Sequence, residues 1–130
     1  MCRAILVGLI FTMLLSNCTK DHTQLSNCQY QDCPIVSFNA KVIPIFTQYC
    51  DMQGCHIAAS HEGGVTLDSA RAYFQVIAPG TGYVTPGNPL NSIIYNQFGQ
   101  HIMPPTGYPA PSDCEVQEIY CWIEQGAQNN

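Results

Sequence analysis

Cysteine spacing constrains this chain before any helix is drawn. Eight cysteines stand at positions 2, 18, 28, 33, 50, 55, 114 and 121. The last two fall within "SDCEVQEIYCWIEQGA", where Ser112 followed three residues later by Glu115 forms a capping box at the start of a helix. Seven residues along a helix rise about 10 Å. A disulfide needs Cα atoms within roughly 7 Å, so Cys114 and Cys121 cannot bridge to each other if the helix begins at Ser112. Cys28 and Cys33 are then their natural partners, and two such bridges strap the N-terminal arm across the domain. A local Cys28 to Cys33 bridge remains open if Cys114 lies outside the helix. Either arrangement leaves Cys50 and Cys55 as a set with His56.

The first two cysteines belong to a different part of the chain. "MCRAILVGLIFTMLLSNC" has one early Arg3 and an unbroken apolar run from Ala4 to Leu15. That run is too short to span a bilayer stably, so residues 1–17 read as a signal peptide. Its ending "LLSNC" resembles a lipobox, which makes Cys18 the lipid-bearing first residue of the mature chain and the membrane an expected partner. A plain secretory cut a few residues later is the competing expectation. Export places the protein in the periplasm or at the cell surface, where disulfides persist. From Cys18 onward three basic residues face nine acidic ones, a net charge of −6. Three cations cannot neutralise a run of phosphates, which excludes nucleic acid as a partner.

Residues 18–39 are polar and aperiodic and read as a tether, fastened at its end by Cys28 and Cys33. Residues 40–130 make one domain. In "NAKVIPIFTQYC", Val42, Ile43, Ile45, Phe46 and Tyr49 gather on one side of a helix with Pro44 in its first turn. "HEGGVTL" is a turn, "DSARAYFQVIA" a short helix capped by Asp68 and stopped at "APG", and "PGNPLNSIIYNQF" a turn and short helix offering Ile93, Ile94 and Phe98 to a core. "HIMPPTGYPAP" has too much proline for regular structure. In the last helix Val116, Ile119, Tyr120 and Ile123 recur at three and four residues, and Gly126 ends it. The expected fold class is all-α, short helices joined by long Pro- and Gly-rich loops. Such helices have little to pack against, so a large apolar cofactor at the centre would complete them.

"QYCDMQGCHIAAS" admits three chemistries. As a haem site, Cys50 and Cys55 form thioethers to the vinyl groups, and His56, next to the second thiol, binds the iron. The familiar spacing is two residues and here it is four, so the loop must bulge, with Gly54 giving freedom where it is tightest. Met103, in the proline-stiffened "HIMPPTG", is the expected second axial ligand; His101 and His61 are alternatives. As a zinc site, Cys28, Cys33, Cys50 and Cys55 supply two C-x4-C knuckles sixteen residues apart. As a disulfide loop, Cys50 and Cys55 bridge to each other in a secreted, non-redox binding module.

The ordered set "VIPIFTQYC", "GCH", "GGVTLDS", "VTPGNPLNSIIY", "MPPTG" and "WIEQGAQNN" resembles the small monohaem c-type cytochrome domains of Bacteroidetes and Planctomycetes, many of them lipoproteins. The resemblance runs from about Ala40 to Asn130. It implies a cytochrome c-like fold around one haem c held by Cys50 and Cys55, with His56 as proximal and Met103 as distal ligand. It also implies that Trp122 and Ile123 pack the last helix on the core, and that the protein transfers electrons with a redox partner protein rather than acting as an enzyme. The chain departs from the family in the four-residue spacing and in Cys114 and Cys121.

Overall fold

The computed structural model describes residues 28, 32–69, 71–78 and 80–130. The expected signal peptide, Cys18 and most of the expected tether lie outside them. Among the described residues four α-helices follow one another: α1 (Ile43–Tyr49), α2 (Ala72–Ile77), α3 (Ile93–Gly99) and α4 (Asp113–Glu124). A wide π-helical turn, Phe38–Val42, leads into α1, and single 3-10 turns stand at Glu62–Gly64 and Pro89–Asn91. There is no strand among the described residues, as the near-absence of period-two alternation predicts. None of the described helices is long and apolar enough to cross a membrane.

Helix α4 is the organising element. Ser112 accepts from the Glu115 backbone N–H while the Glu115 carboxylate accepts from the Ser112 N–H, the reciprocal pair expected from sequence. The helix buries Val116, Ile119, Tyr120, Trp122 and Ile123, so the three- and four-residue recurrence identified its inner face correctly. The Trp122 ring lies 4.9 Å from that of Phe38, whose edge meets Tyr73 at 5.2 Å and Phe46 at 6.3 Å. The indole N–H, which would otherwise be stranded in the core, donates to the Gln128 carbonyl at 2.8 Å. Replacing Ser112 with alanine removes one acceptor and half of the capping box. It should lower stability by about 1 kcal/mol, read from the urea midpoint at unchanged slope.

Two disulfides among the described residues run from the N-terminal arm to α4: Cys28 to Cys114, with Cα atoms 4.8 Å apart, and Cys33 to Cys121, at 5.2 Å. The local Cys28 to Cys33 alternative is thereby excluded. Backbone and amide bonds carry the strap further. Val36 N–H donates to Gln125 Oε1 at 3.0 Å, Phe38 N–H to Asn130 Oδ1 at 2.8 Å, and Gln125 Nε2 to the Pro34 carbonyl at 2.6 Å.

Val36 and Phe38, upstream of Ala40, are buried in the same core as Trp122. Two expectations need correction. Asp68 does not cap α2 directly. Its carboxylate accepts from the Arg71 backbone N–H at 2.9 Å and pairs with the Arg71 guanidinium at 2.9 Å, winding a turn from which α2 starts only at Ala72. On α3, Ile94 and Phe98 are core residues with Tyr95, but Ile93 is 41% exposed and faces a cavity instead.

Candidate functional site

The segment between Cys50 and His56 folds back on the end of α1. Cys50 and Asp51 both direct their N–H groups to the Phe46 carbonyl, at 2.8 and 2.9 Å. The Cys50 carbonyl then accepts from Met52 N–H at 2.9 Å and from His56 N–H at 3.2 Å, while Cys55 N–H donates to the Met52 carbonyl at 2.9 Å. The four intervening residues are thus taken up in consecutive turns, with His56 returned to the Cys50 backbone. Gly54 has φ +82°, a left-handed conformation that costs glycine little and other residues more. Downstream, the Cys55 carbonyl accepts from Glu62 N–H at 3.0 Å and Ser60 Oγ at 2.8 Å, and the His56 carbonyl from Leu67 N–H at 2.7 Å. The cysteine–histidine pair is therefore held from both sides.

A second loop, residues 101–111, is tied to the end of α3. Ile102 and Met103 both donate their backbone N–H to the Gln97 carbonyl, at 2.9 and 3.1 Å. Between the two loops lies a cavity of about 300 Å³. Cys50, Cys55, His56 and Met103 all line it, with Val65 and Leu67 from the segment after the turn and Ile94 and Phe98 from α3. No Asp, Glu, Lys or Arg is among its lining residues. The alternative ligands are elsewhere: His61 and His101 are exposed, with φ of +32° and +54°, and neither lines the cavity.

Among the described residues Cys50 and Cys55 are the cysteines without a bridge. Burial, then the neighbouring Cys55 and Asp51, pushes the Cys50 thiol up to about 12, so it is protonated at neutral pH. His56 Nδ1 is buried and has no hydrogen-bond partner. An ordinary core histidine is satisfied at its ring nitrogens, because leaving one bare costs about 1–3 kcal/mol. This ring is held by packing in a cavity wall without that satisfaction. The four-thiolate zinc arrangement fails, since Cys28 and Cys33 are consumed in bridges to α4, and the described residues contain no cluster of three or more His, Cys, Asp or Glu able to hold a metal ion. A mutual Cys50 to Cys55 disulfide is not formed either.

Several cavity residues escaped sequence reasoning: Tyr49, Met52, Tyr83, Gln97 and Tyr108. Tyr49 Oη contacts the Glu115 carboxylate at 3.2 Å and accepts from Gln48 Nε2 at 2.9 Å, linking the cavity wall to the capping box of α4. Burial and the Glu115 charge hold its phenol above the usual range. One signal was available: residues 72–112 contain no Asp, Glu, Lys or Arg at all. That charge-free stretch supplies the α3 and 101–111 walls, where an ion would have to be desolvated.

No curated protein and no solved structure matches the chain. Residues 53–107 match the family model described as Planctomycete cytochrome C, a span that takes in Cys55, His56 and Met103 and stops short of Cys50. With the helical architecture of the described residues, this match supports a cytochrome c-like domain in this chain.

Proposed function

We propose that the chain carries one covalently bound haem c and works as an exported, lipid-anchored electron carrier. The observation that carries this reading is the convergence of Cys50, Cys55, His56 and Met103 on one uncharged, largely apolar cavity. The residues fit the group. The two thiols stand unbridged, the imidazole keeps an unsatisfied ring nitrogen, and a thioether is offered from a separate loop. Bound there, haem c supplies a one-electron Fe(III)/Fe(II) couple. Cys50 and Cys55 would hold it through thioethers, and His56 would serve as proximal ligand and Met103 as distal ligand, a pairing that raises the potential relative to two histidines. Val65, Leu67, Ile94 and Phe98 exclude water, which limits reorganisation between redox states. In this reading Cys50, Cys55 and His56 are all committed to the haem, so the chain acts with a redox partner protein and performs no catalysis of its own. Residues 1–17 direct export to the periplasm or cell surface, and lipid on Cys18 holds the protein at a membrane.

The test is intact mass with a pyridine haemochrome spectrum, on protein made with a haem-maturation system and purified under denaturing conditions. Retained haem is the expected result, and the spectrum's position reports whether one or both cysteines carry thioethers. A bare chain, less two hydrogens per disulfide, would transfer the cavity to a non-redox binding module. Met103→Ala should remove thioether ligation and lower the midpoint potential in a redox titration. An unaltered spectrum and potential would show that Met103 is no ligand.

A further inference from the structure

Among the tyrosine and amide side chains lining the cavity, two are already engaged. The Tyr49 hydroxyl contacts Glu115 and Gln48, and the Tyr83 hydroxyl donates to the Gly63 carbonyl at 3.3 Å. Tyr108 is 55% exposed, so water competes for its hydroxyl. Gln97 is different. It is half-buried in the cavity wall, and its carboxamide makes no hydrogen bond with any described residue. Its backbone carbonyl receives the N–H of Met103 at 3.1 Å. The uncommitted amide and the Met103 thioether are therefore held on one cavity by a direct backbone bond between their own residues.

From this juxtaposition we infer that Gln97 is a positioning residue for the axial methionine: its carboxamide N–H donates to the Met103 sulfur and sets the redox potential. The inference rests on the haem reading above and extends it to a residue outside the ligand set. A hydrogen bond to sulfur withdraws electron density from the ligand. It weakens donation to Fe(III) more than to Fe(II) and so favours the reduced form, as outer hydrogen bonds tune other metal centres.

The experiment compares wild type, Gln97→Leu and Gln97→Glu, each carrying haem, by redox titration and by the far-red thioether-to-Fe(III) charge-transfer band. Gln97→Leu keeps the shape and removes the donor. It should retain the band and shift the redox equilibrium constant toward the oxidised form by on the order of threefold to tenfold, the weight of one hydrogen bond. Gln97→Glu, of the same shape with an acceptor in place of the donor, should shift it further in the same direction. An unchanged potential in both Gln97 variants, with the band intact, overturns the inference and leaves the cytochrome reading standing. Loss of the band in Gln97→Leu also overturns it, because Gln97 would then hold the loop rather than tune the sulfur. If wild type itself lacks the band, the distal assignment falls together with this inference, and the haemochrome of the same sample reports separately whether haem is bound.

Discussion

Removing the Cys33–Cys121 bridge alone, as Cys33→Ala with Cys121→Ala, should cost about 3 kcal/mol, and removing both bridges should unfold the domain at 37 °C. The bridges close loops of 86 and 88 residues, and cross-linking a loop of that size removes unfolded-chain entropy worth somewhat under 5 kcal/mol. The two closures are not independent. Once Cys28 and Cys114 are joined, the second bridge closes only a ring of about a dozen residues, made of segments 28–33 and 114–121, worth about 3 kcal/mol. Their combined contribution, about 8 kcal/mol, is as large as the whole stability of many small domains. Urea denaturation of the single-bridge and bridge-free variants checks this. Equal stability of the two would mean that the strap is held by Val36, Phe38 and the Gln125 contacts instead.

Replacing His56 with alanine should abolish the low-spin haem spectrum while barely disturbing the fold. The turn around it is built from main-chain bonds, His56 N–H to the Cys50 carbonyl and Leu67 N–H to the His56 carbonyl, and alanine makes both. The imidazole contributes no hydrogen bond through Nδ1, which is buried and bare. Removing it relieves an unsatisfied group and loses some packing at a cavity wall. In haem-free protein the two effects should leave stability within about 1 kcal/mol of wild type. In haem-loaded protein the iron loses its proximal ligand, so the oxidised spectrum becomes high-spin with attachment through Cys50 and Cys55 preserved. A low-spin spectrum in His56→Ala would mean that another residue is the proximal ligand. Unfolding of the haem-free variant would mean that the imidazole is structural.

These two results separate the scaffold from the site, and the two differ in how legible they were. The sequence by itself determined the last helix: Ser112 and Glu115 are three residues apart, and Val116, Ile119, Tyr120 and Ile123 recur at helical spacing. Both signals act within a turn or two and depend on nothing distant. The same local geometry ruled out a Cys114 to Cys121 bridge. Only tertiary structure decided which arm cysteine meets which helix cysteine, since both bridges link residues more than eighty positions apart. It also decided that Val36 and Phe38 leave the tether for the core. In the loops, Gly and Pro suppress any period, so side-chain direction follows from packing alone. That is why Met103 reaches the cavity while His61 and His101 do not. Short-range spacing sets where helices begin and which face they bury; where the loops between them place their side chains is settled only by contact with the rest of the molecule.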